Sequence, residues 1–422
     1  MASSELVGWE RLANAPVSFL ISLFRRLLSL SIIRSSAAFG LSGAAFAMGT
    51  LLLARSMPVE QFGELSLMIA LYNIFCLLTP AGIDQIAVRH QLSPSGRLLV
   101  TSLGICAGIG VIVGLGVSGF GALDGWDAVA LGLAVAVGGM VVVASGLYRA
   151  AGNLGAAVWI FTGANWGLLM IGVAGQGMDM STSRLPFTLF LLWQAVIAVI
   201  AWVSLMKDVQ PASVAEPRAT AIPWREAPAL LGMAAVGTIA LQLERVMIPS
   251  LIDLAALATF SVLASVAIFP FRVMTAAIEF SLTPRLRAET CSDRRRYVFW
   301  RELWTISGAL VVASALVFIV APWITIWITD DKYELSVALL FAACINGAAK
   351  FVQTIPRAVL TACGTARDLS FLNYIGWLGL ALAVLGGFVG VEYGLAGVII
   401  GVALGTMIGN LPAFLRAWRA IR

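Results

Sequence analysis

Apolar residues in this chain come in long unbroken runs separated by short polar breaks. Read between charges, Pro and Gly, the runs cover 34–55, 62–80, 98–120, 128–147, 155–175, 187–206, 228–250, 256–283, 303–328, 336–362, 369–390 and 395–415. An α-helix needs ~20 predominantly apolar residues to cross the hydrocarbon core of a bilayer. Backbone amides find no water there, so a run of this kind must satisfy them within its own helix. The pattern predicts an all-α polytopic membrane protein with about 12 transmembrane helices.

One run is different. Over residues 17–31, Ser18, Ser22, Arg25 and Ser29 fall on one helical face, and Phe19, Leu20, Leu23, Phe24, Leu27 and Leu28 fill the other. Such a segment either lies on the inner leaflet as an amphipathic lead or extends the first spanning helix. Arg25 and Arg26 interrupt the run and no small-residue cleavage site follows, so it does not read as a cleavable signal.

Composition agrees with lipid as the solvent. Of 422 residues, 60% are hydrophobic and only 12% are charged. Soluble domains carry roughly 25% charged residues. The net charge of +5 raises the question of a nucleic-acid partner, but the distribution of the basic residues answers it. With both termini placed in the cytoplasm, twenty of the 27 basic residues fall on the cytoplasmic side. Arg55, Arg184 and Lys332 fall on the opposite side, and Arg245, Arg272, Lys350 and Arg357 fall inside runs. This asymmetry follows the positive-inside rule, so the basic excess reflects topology in a bacterial inner membrane.

The loops are short. The longest interior ones are 207–227, with three prolines, and the basic 284–302. Neither has room for a folded catalytic domain. The expected organisation is an interfacial lead 1–33, a six-helix half 34–206, a cytoplasmic linker 207–227, a six-helix half 228–415 and a tail 416–422.

The halves share ordered signals. Leu53-Ala54-Arg55-Ser56-Met57-Pro58 closes the first run, and Leu243-Glu244-Arg245-Val246-Met247-Ile248-Pro249 closes the seventh. Arg149-Ala150-Ala151-Gly152-Asn153 and Thr361-Ala362-Cys363-Gly364-Thr365 end the fourth and tenth, and Trp166 and Trp377 follow at similar offsets. Six helices per unit insert the same way up, which predicts a parallel repeat with a substrate site between the halves.

Ionisable side chains at membrane depth cost ~2.5–3.5 kcal/mol each on insertion scales, and they face cavities or partners. Arg272, two residues after Pro270, is the sharpest case. It reads as an anion-binding group in a central cavity, or as the partner of Glu279 or Glu64. Lys350 and Arg357 are seven residues apart on one stripe and line the second half's cavity, unless Arg357 marks the cytoplasmic end. Arg55 and Arg245 lie near the outer ends of their runs and are expected to snorkel toward water, with Arg245 beside Glu244. Candidate substrate contacts are therefore Arg272, Lys350, Arg357 and Arg55. Glu64, Asp84 and Glu279 are weaker candidates for coupling a cation, with a helix-capping role as the plainer reading of Asp84.

Enzyme chemistry has little to stand on. Walker A and Gly-x-Ser-x-Gly motifs are absent, and the single His90 and five unpaired-looking cysteines give no metal or redox spacing. The expectation is no enzyme and no bound cofactor, with a Na+ or H+ gradient as the energy source.

Several short motifs in order carry a family resemblance. Leu53-Ala54-Arg55 leads to Glu60-Gln61-Phe62-Gly63-Glu64-Leu65-Ser66 and then Ala81-Gly82-Ile83-Asp84. Later come Thr283-Pro284-Arg285-Leu286, the stretch from Trp327 to Leu340, Ala362-Cys363-Gly364-Thr365-Ala366-Arg367 and Tyr393-Gly394-Leu395-Ala396-Gly397. Over about 34–415 the chain resembles bacterial polysaccharide flippases of the multidrug/oligosaccharidyl-lipid/polysaccharide (MOP) exporter superfamily. The resemblance implies a V-shaped pair of six-helix bundles around a cationic cavity. It implies flipping of a polyprenyl-pyrophosphate-linked oligosaccharide by alternating access, with arginines such as Arg272 holding the pyrophosphate. Polysaccharide polymerase or export machinery would then be partners. The first run departs from the pattern: it has no deep arginine or acid, which weakens the peptidoglycan-precursor and multidrug branches. The alternatives are a cation-coupled multidrug or small-molecule exporter of the same fold, and, further off, an integral polymerase or glycosyltransferase.

Overall fold

The computed structural model describes residues 31–119, 123–178, 180–207, 222–275, 282, 286 and 292–421. The amphipathic lead before residue 31, Glu279 and most of linker 207–227 lie outside the described residues. Among those described there are helices and no strands.

In chain order the α-helices are α1 (Ser31–Ser56), α2 (Val59–Leu78), α3 (Ile83–His90), α4 (Gly96–Gly119), α5 (Gly125–Ala150), α6 (Leu154–Phe161), α7 (Gly163–Ala174) and α8 (Arg184–Lys207). After the linker come α9 (Ala227–Leu251), α10 (Leu254–Leu263), α11 (Ser292–Thr329), α12 (Val337–Cys363), α13 (Ala366–Gly390) and α14 (Gly394–Ile421). Ten stretches among the described residues are long and apolar enough to cross a membrane, and eleven if the bent pair α6–α7 is one span. One of the ten, Arg367–Ala420, runs through both α13 and α14.

As far as the described residues reach, each predicted run coincides with a helix or a broken helix, and the breaks have local causes. The run 155–175 bends by 45° between α6 and α7. There the Thr162 hydroxyl donates to the Val158 carbonyl at 2.8 Å, a back-bond that opens a helix. In the eighth run a π-helical turn, Ala264–Ile268, follows α10 just before Pro270. Proline has no N–H to give the preceding turn, and the wider turn absorbs that loss. The loop expected over 284–302 is shorter than its sequence suggests, because α11 already begins at Ser292. Arg294, Arg295, Arg296 and Arg301 therefore sit on a helix, not in a loop.

Lipid is as apolar as leucine, so these helices gain little from hiding side chains from water. Association rests on close packing, which favours small residues. The hairpin of α13 and α14 shows this. A side chain on Gly386 would run into the Gly401 carbonyl, and one on Gly401 into the Gly386 carbonyl. Outward faces remain apolar instead: Val111, Ile112 and Leu115 on α4 are exposed. On α11, Trp304 and Trp323 are both about three-quarters exposed. At 1.5 Å per residue they stand about 28 Å apart along the axis. That matches a hydrocarbon core of about 30 Å with aromatic anchors at both faces.

The largest buried cluster joins the two parts of the chain. Leu53, Phe62, Leu65 and Met68 of α1 and α2 meet Phe260, Leu263, Ile268 and Phe271 of α10 and its continuation. Gly63 lets α2 approach so closely that a methyl there would strike the Leu254 carbonyl. The site described next lies beside this seam.

Candidate functional site

The charges inside the predicted runs gather around one carboxylate. Glu244 on α9 is buried, and the Lys350 ammonium of α12 lies 2.9 Å from its Oε1. The Asn346 amide, one turn earlier on α12, donates to the same oxygen at 2.6 Å. Lys350 and Arg357 do share a stripe, and both reach α9. Arg357 is exposed, and its guanidinium faces Gly237, seven residues before Glu244 on the antiparallel neighbour.

Arg272 follows the π-turn and Pro270, as the local break in the sequence predicts. Its side chain leans onto α9, donating from Nη2 to the Leu241 carbonyl at 3.2 Å, while its Nε has no partner among the described residues. Glu244 is the acid that bears on it electrostatically. The pairing with Glu64 weighed from sequence does not form. Glu64 instead accepts from the Ser183 hydroxyl at 2.8 Å, beside Gln61, which accepts from the Ser183 amide at 2.9 Å.

Arg245 overturns its expectation. It does not snorkel but is 3% exposed, enclosed by the first part of the chain. Nη1 donates to Gln242 Oε1 at 3.2 Å, and the guanidinium carbon stands 5.5 Å from the centre of the Phe46 ring on α1. Local sequence could not reveal this, because Phe46 comes from a helix almost two hundred residues earlier. Glu244 was equally hidden, as its partner Lys350 lies on a distant helix.

Among the described residues, three cations, Arg245, Arg272 and Lys350, stand around a single buried acid. Only Lys350 has a carboxylate in ion-pair range among the described residues. Such an arrangement can bind an anionic group through charge-assisted hydrogen bonds.

The remaining candidates lie elsewhere. Arg55, at the end of α1, pairs with Asp330 at 2.6 Å in the turn between α11 and α12. Lys332 in that turn donates to the carbonyls of Ala54 at 3.0 Å and of Met57. Tyr333 meets Phe62 edge-on. Asp84 is buried near the start of α3, with Arg149 at 3.9 Å and the Gln85 amide donating to it at 2.7 Å. Burial pushes its carboxyl above the usual range, with Arg149 and Gln85 pulling the other way. Asp84 stands in the first turn of α3 behind Gly82, which has no side chain to cap with, and its carboxylate accepts from the backbone N–H groups of Asp84 and Gln85. At the opposite end of α9 from Asp330, Glu226 meets Arg89 at 3.4 Å and His90 at 3.2 Å.

No family model and no curated protein matches the sequence. Solved structures do match its shape. An inward-facing multidrug resistance MATE family transporter of the MOP superfamily aligns with a TM-score of 0.63 at 14% identity, over 90% of this chain and 94% of that one. A mutant of the Vibrio cholerae MATE transporter VcmN aligns at 0.59 and 15% identity, covering 93% and 96%. An outward-facing MATE family transporter aligns at 0.57 and 15% identity, covering 92% and 95%. At these identities the likeness shows the fold alone, an all-helical arrangement like that of these MATE transporters.

Proposed function

We propose that this chain is an alternating-access exporter that takes an anionic, amphiphilic molecule across the membrane. The observation that carries this reading is the surplus of positive charge, among the described residues, at Arg245, Arg272 and Lys350 around the one acid Glu244. An anion leaving water loses hydration worth many kcal/mol, and paired arginine and lysine groups replace it. The two parts of the chain, 34–206 and 228–415, act as the halves that move against each other. Arg272, Lys350 and Arg357 contact the cargo's charged group, and a Na+ or H+ gradient supplies the energy.

Two cargo classes fit. The solved structures of this shape are multidrug transporters, and that favours a small organic molecule, the second of the two readings drawn from the sequence. The first, a polyprenyl-pyrophosphate-linked oligosaccharide flipped from the inner to the outer leaflet, is supported by the ordered motifs and by the excess of cations over acids.

The test is transport in proteoliposomes holding the purified chain. Anionic and cationic fluorescent amphiphiles and a labelled lipid-linked oligosaccharide are compared. Faster movement of anionic cargo, reduced about tenfold or more in Arg272→Ala, is the expected result. A preference for cations, or full activity in Arg272→Ala, overturns the reading. Oligosaccharide flipping without movement of the small dyes selects the flippase.

A further inference from the structure

Arg245 does not sit where a large cargo could reach it. It lines a small cavity at the seam with Phe46, Thr50, Leu53, Phe62, Ser66, Ile69 and Ser261, with free room of about 10 Å³, enough for one water-sized or monatomic species. Four of these residues are apolar and leave little room. The polar ones come from both parts of the chain: Thr50 and Ser66 from α1 and α2, Arg245 and Ser261 from α9 and α10.

Two polar atoms in this cavity are unused. Arg245 Nε and Ser261 Oγ are buried, and neither has a hydrogen-bond partner among the described residues. Arg245 is 3% exposed and Ser261 1%. Thr50 is already committed, donating to the Phe46 carbonyl at 2.8 Å. Buried polar atoms are nearly always paired, and a buried cation without a counter-charge is costlier still. Glu244, the neighbouring acid, is engaged by Lys350 and Asn346. The Phe46 ring face, 5.5 Å from the guanidinium carbon, offers only partial compensation.

We propose that Arg245 and Ser261 form a binding site for a single monatomic anion, a halide, held in the seam between the two parts of the chain. The guanidinium supplies charge and the Nε–H, and the Ser261 hydroxyl supplies a second donor. Phe46, Leu53, Phe62 and Ile69 exclude bulky or strongly hydrated groups. The anion acts as a removable counter-ion that neutralises Arg245 while α1 and α2 lie against α9 and α10. This inference goes beyond the cargo reading and stands without it.

The experiment uses the full chain in nanodiscs of neutral phosphatidylcholine. Thermal unfolding is followed while sodium gluconate is replaced by sodium chloride, or separately by sodium phosphate, at constant ionic strength. A saturable rise in melting temperature with chloride, and none with phosphate, is expected. The apparent affinity should fall at least tenfold in Arg245→Gln and several-fold in Ser261→Ala, and stay within twofold of wild type in Arg301→Gln, an exposed arginine paired with Glu302. Should Arg245→Gln fail to fold, Ser261→Ala together with Ser261→Leu, which fills the cavity and should abolish the response, carries the test. Three results overturn the site: no saturable response, an equal response in the Ser261 variants, or a response confined to nanodiscs of anionic lipid, which would mark a headgroup effect. Loss of cargo transport with an intact anion response would sink the exporter reading and leave this site standing.

Discussion

Arg55 Nη2 lies 2.6 Å from Asp330 Oδ2, tying the end of the first helix to the turn between α11 and α12. Both side chains are substantially exposed, so the pair contributes less than about 1 kcal/mol. Lys332, two residues on, caps the carbonyls at the end of α1, where the helix leaves acceptors unsatisfied. Arg55→Ala should therefore leave thermal stability nearly unchanged. Lys332→Met should cost about 1–3 kcal/mol by stranding those carbonyls. Melting curves of the two purified variants in one detergent check the order, and a larger loss in Arg55→Ala would refute it.

Among the described residues Glu244 is the only acid in its cluster, so its removal leaves three cations facing one another. Breaking a buried pair from one side costs about 3–5 kcal/mol. Glu244→Gln should destabilise by that order, and Glu244→Gln combined with Lys350→Met should recover part of the loss. Additive losses in the double variant would mean that the two residues do not act as a pair.

Asp84 lies outside the spanning segments and gives a pH dependence with a definite sign. Burial raises its folded pKa above the unfolded value of 3.8. A carboxyl shifted upward adds stability when protonated in both states and loses it as pH rises through the folded pKa. At neutral pH the charged form is thus a cost, and Asp84→Asn should melt higher than wild type at pH 7. The gap should close as pH falls toward 4. A wild-type advantage at pH 7 would show that Arg149 outweighs burial.

The glycine hairpin predicts an asymmetry. Gly401 faces the Gly386 carbonyl, whereas Gly308 on α11 has open space around it. Gly401→Leu should cost at least the ~1–3 kcal/mol of an overpacked contact. Gly308→Leu should be neutral. Yield of monodisperse protein and melting temperature measure both, and equal behaviour would contradict the packing.

Orientation is open to chemical labelling. Asp331 and Ser95 are exposed and belong to opposite sides of the predicted topology. With the native cysteines replaced, Asp331→Cys should react with an impermeant thiol reagent in intact cells. Ser95→Cys should react only after permeabilisation. The reverse pattern would invert the protein.

The helices were legible because lipid imposes a simple rule on composition, and each apolar run obeyed it. Pro270 announced the disturbance ahead of Arg272, and the spacing of Lys350 and Arg357 announced their shared face. What sequence could not show was who meets whom across distant helices. Arg245 stands near the end of its run, which by position alone means water. It is enclosed because Gly63 lets α2 close over the far end of α9 and α10 and because Phe46 covers the guanidinium. Glu244 was taken for the neighbour of Arg245, yet side chains adjacent in a helix point about 100° apart. Its partner is Lys350 instead.

The wide turn at Ala264–Ile268 has a further consequence, for rotational registry. A π-turn is an α-helix carrying one surplus residue. Excising a single residue there would restore regular winding and rotate everything beyond it by about 100°. Arg272 would then swing off the flank of α9 and away from Glu244, with no charge altered and no proline removed. The angular setting of the cationic cluster thus depends on one extra link of backbone, several residues before the arginine it aims.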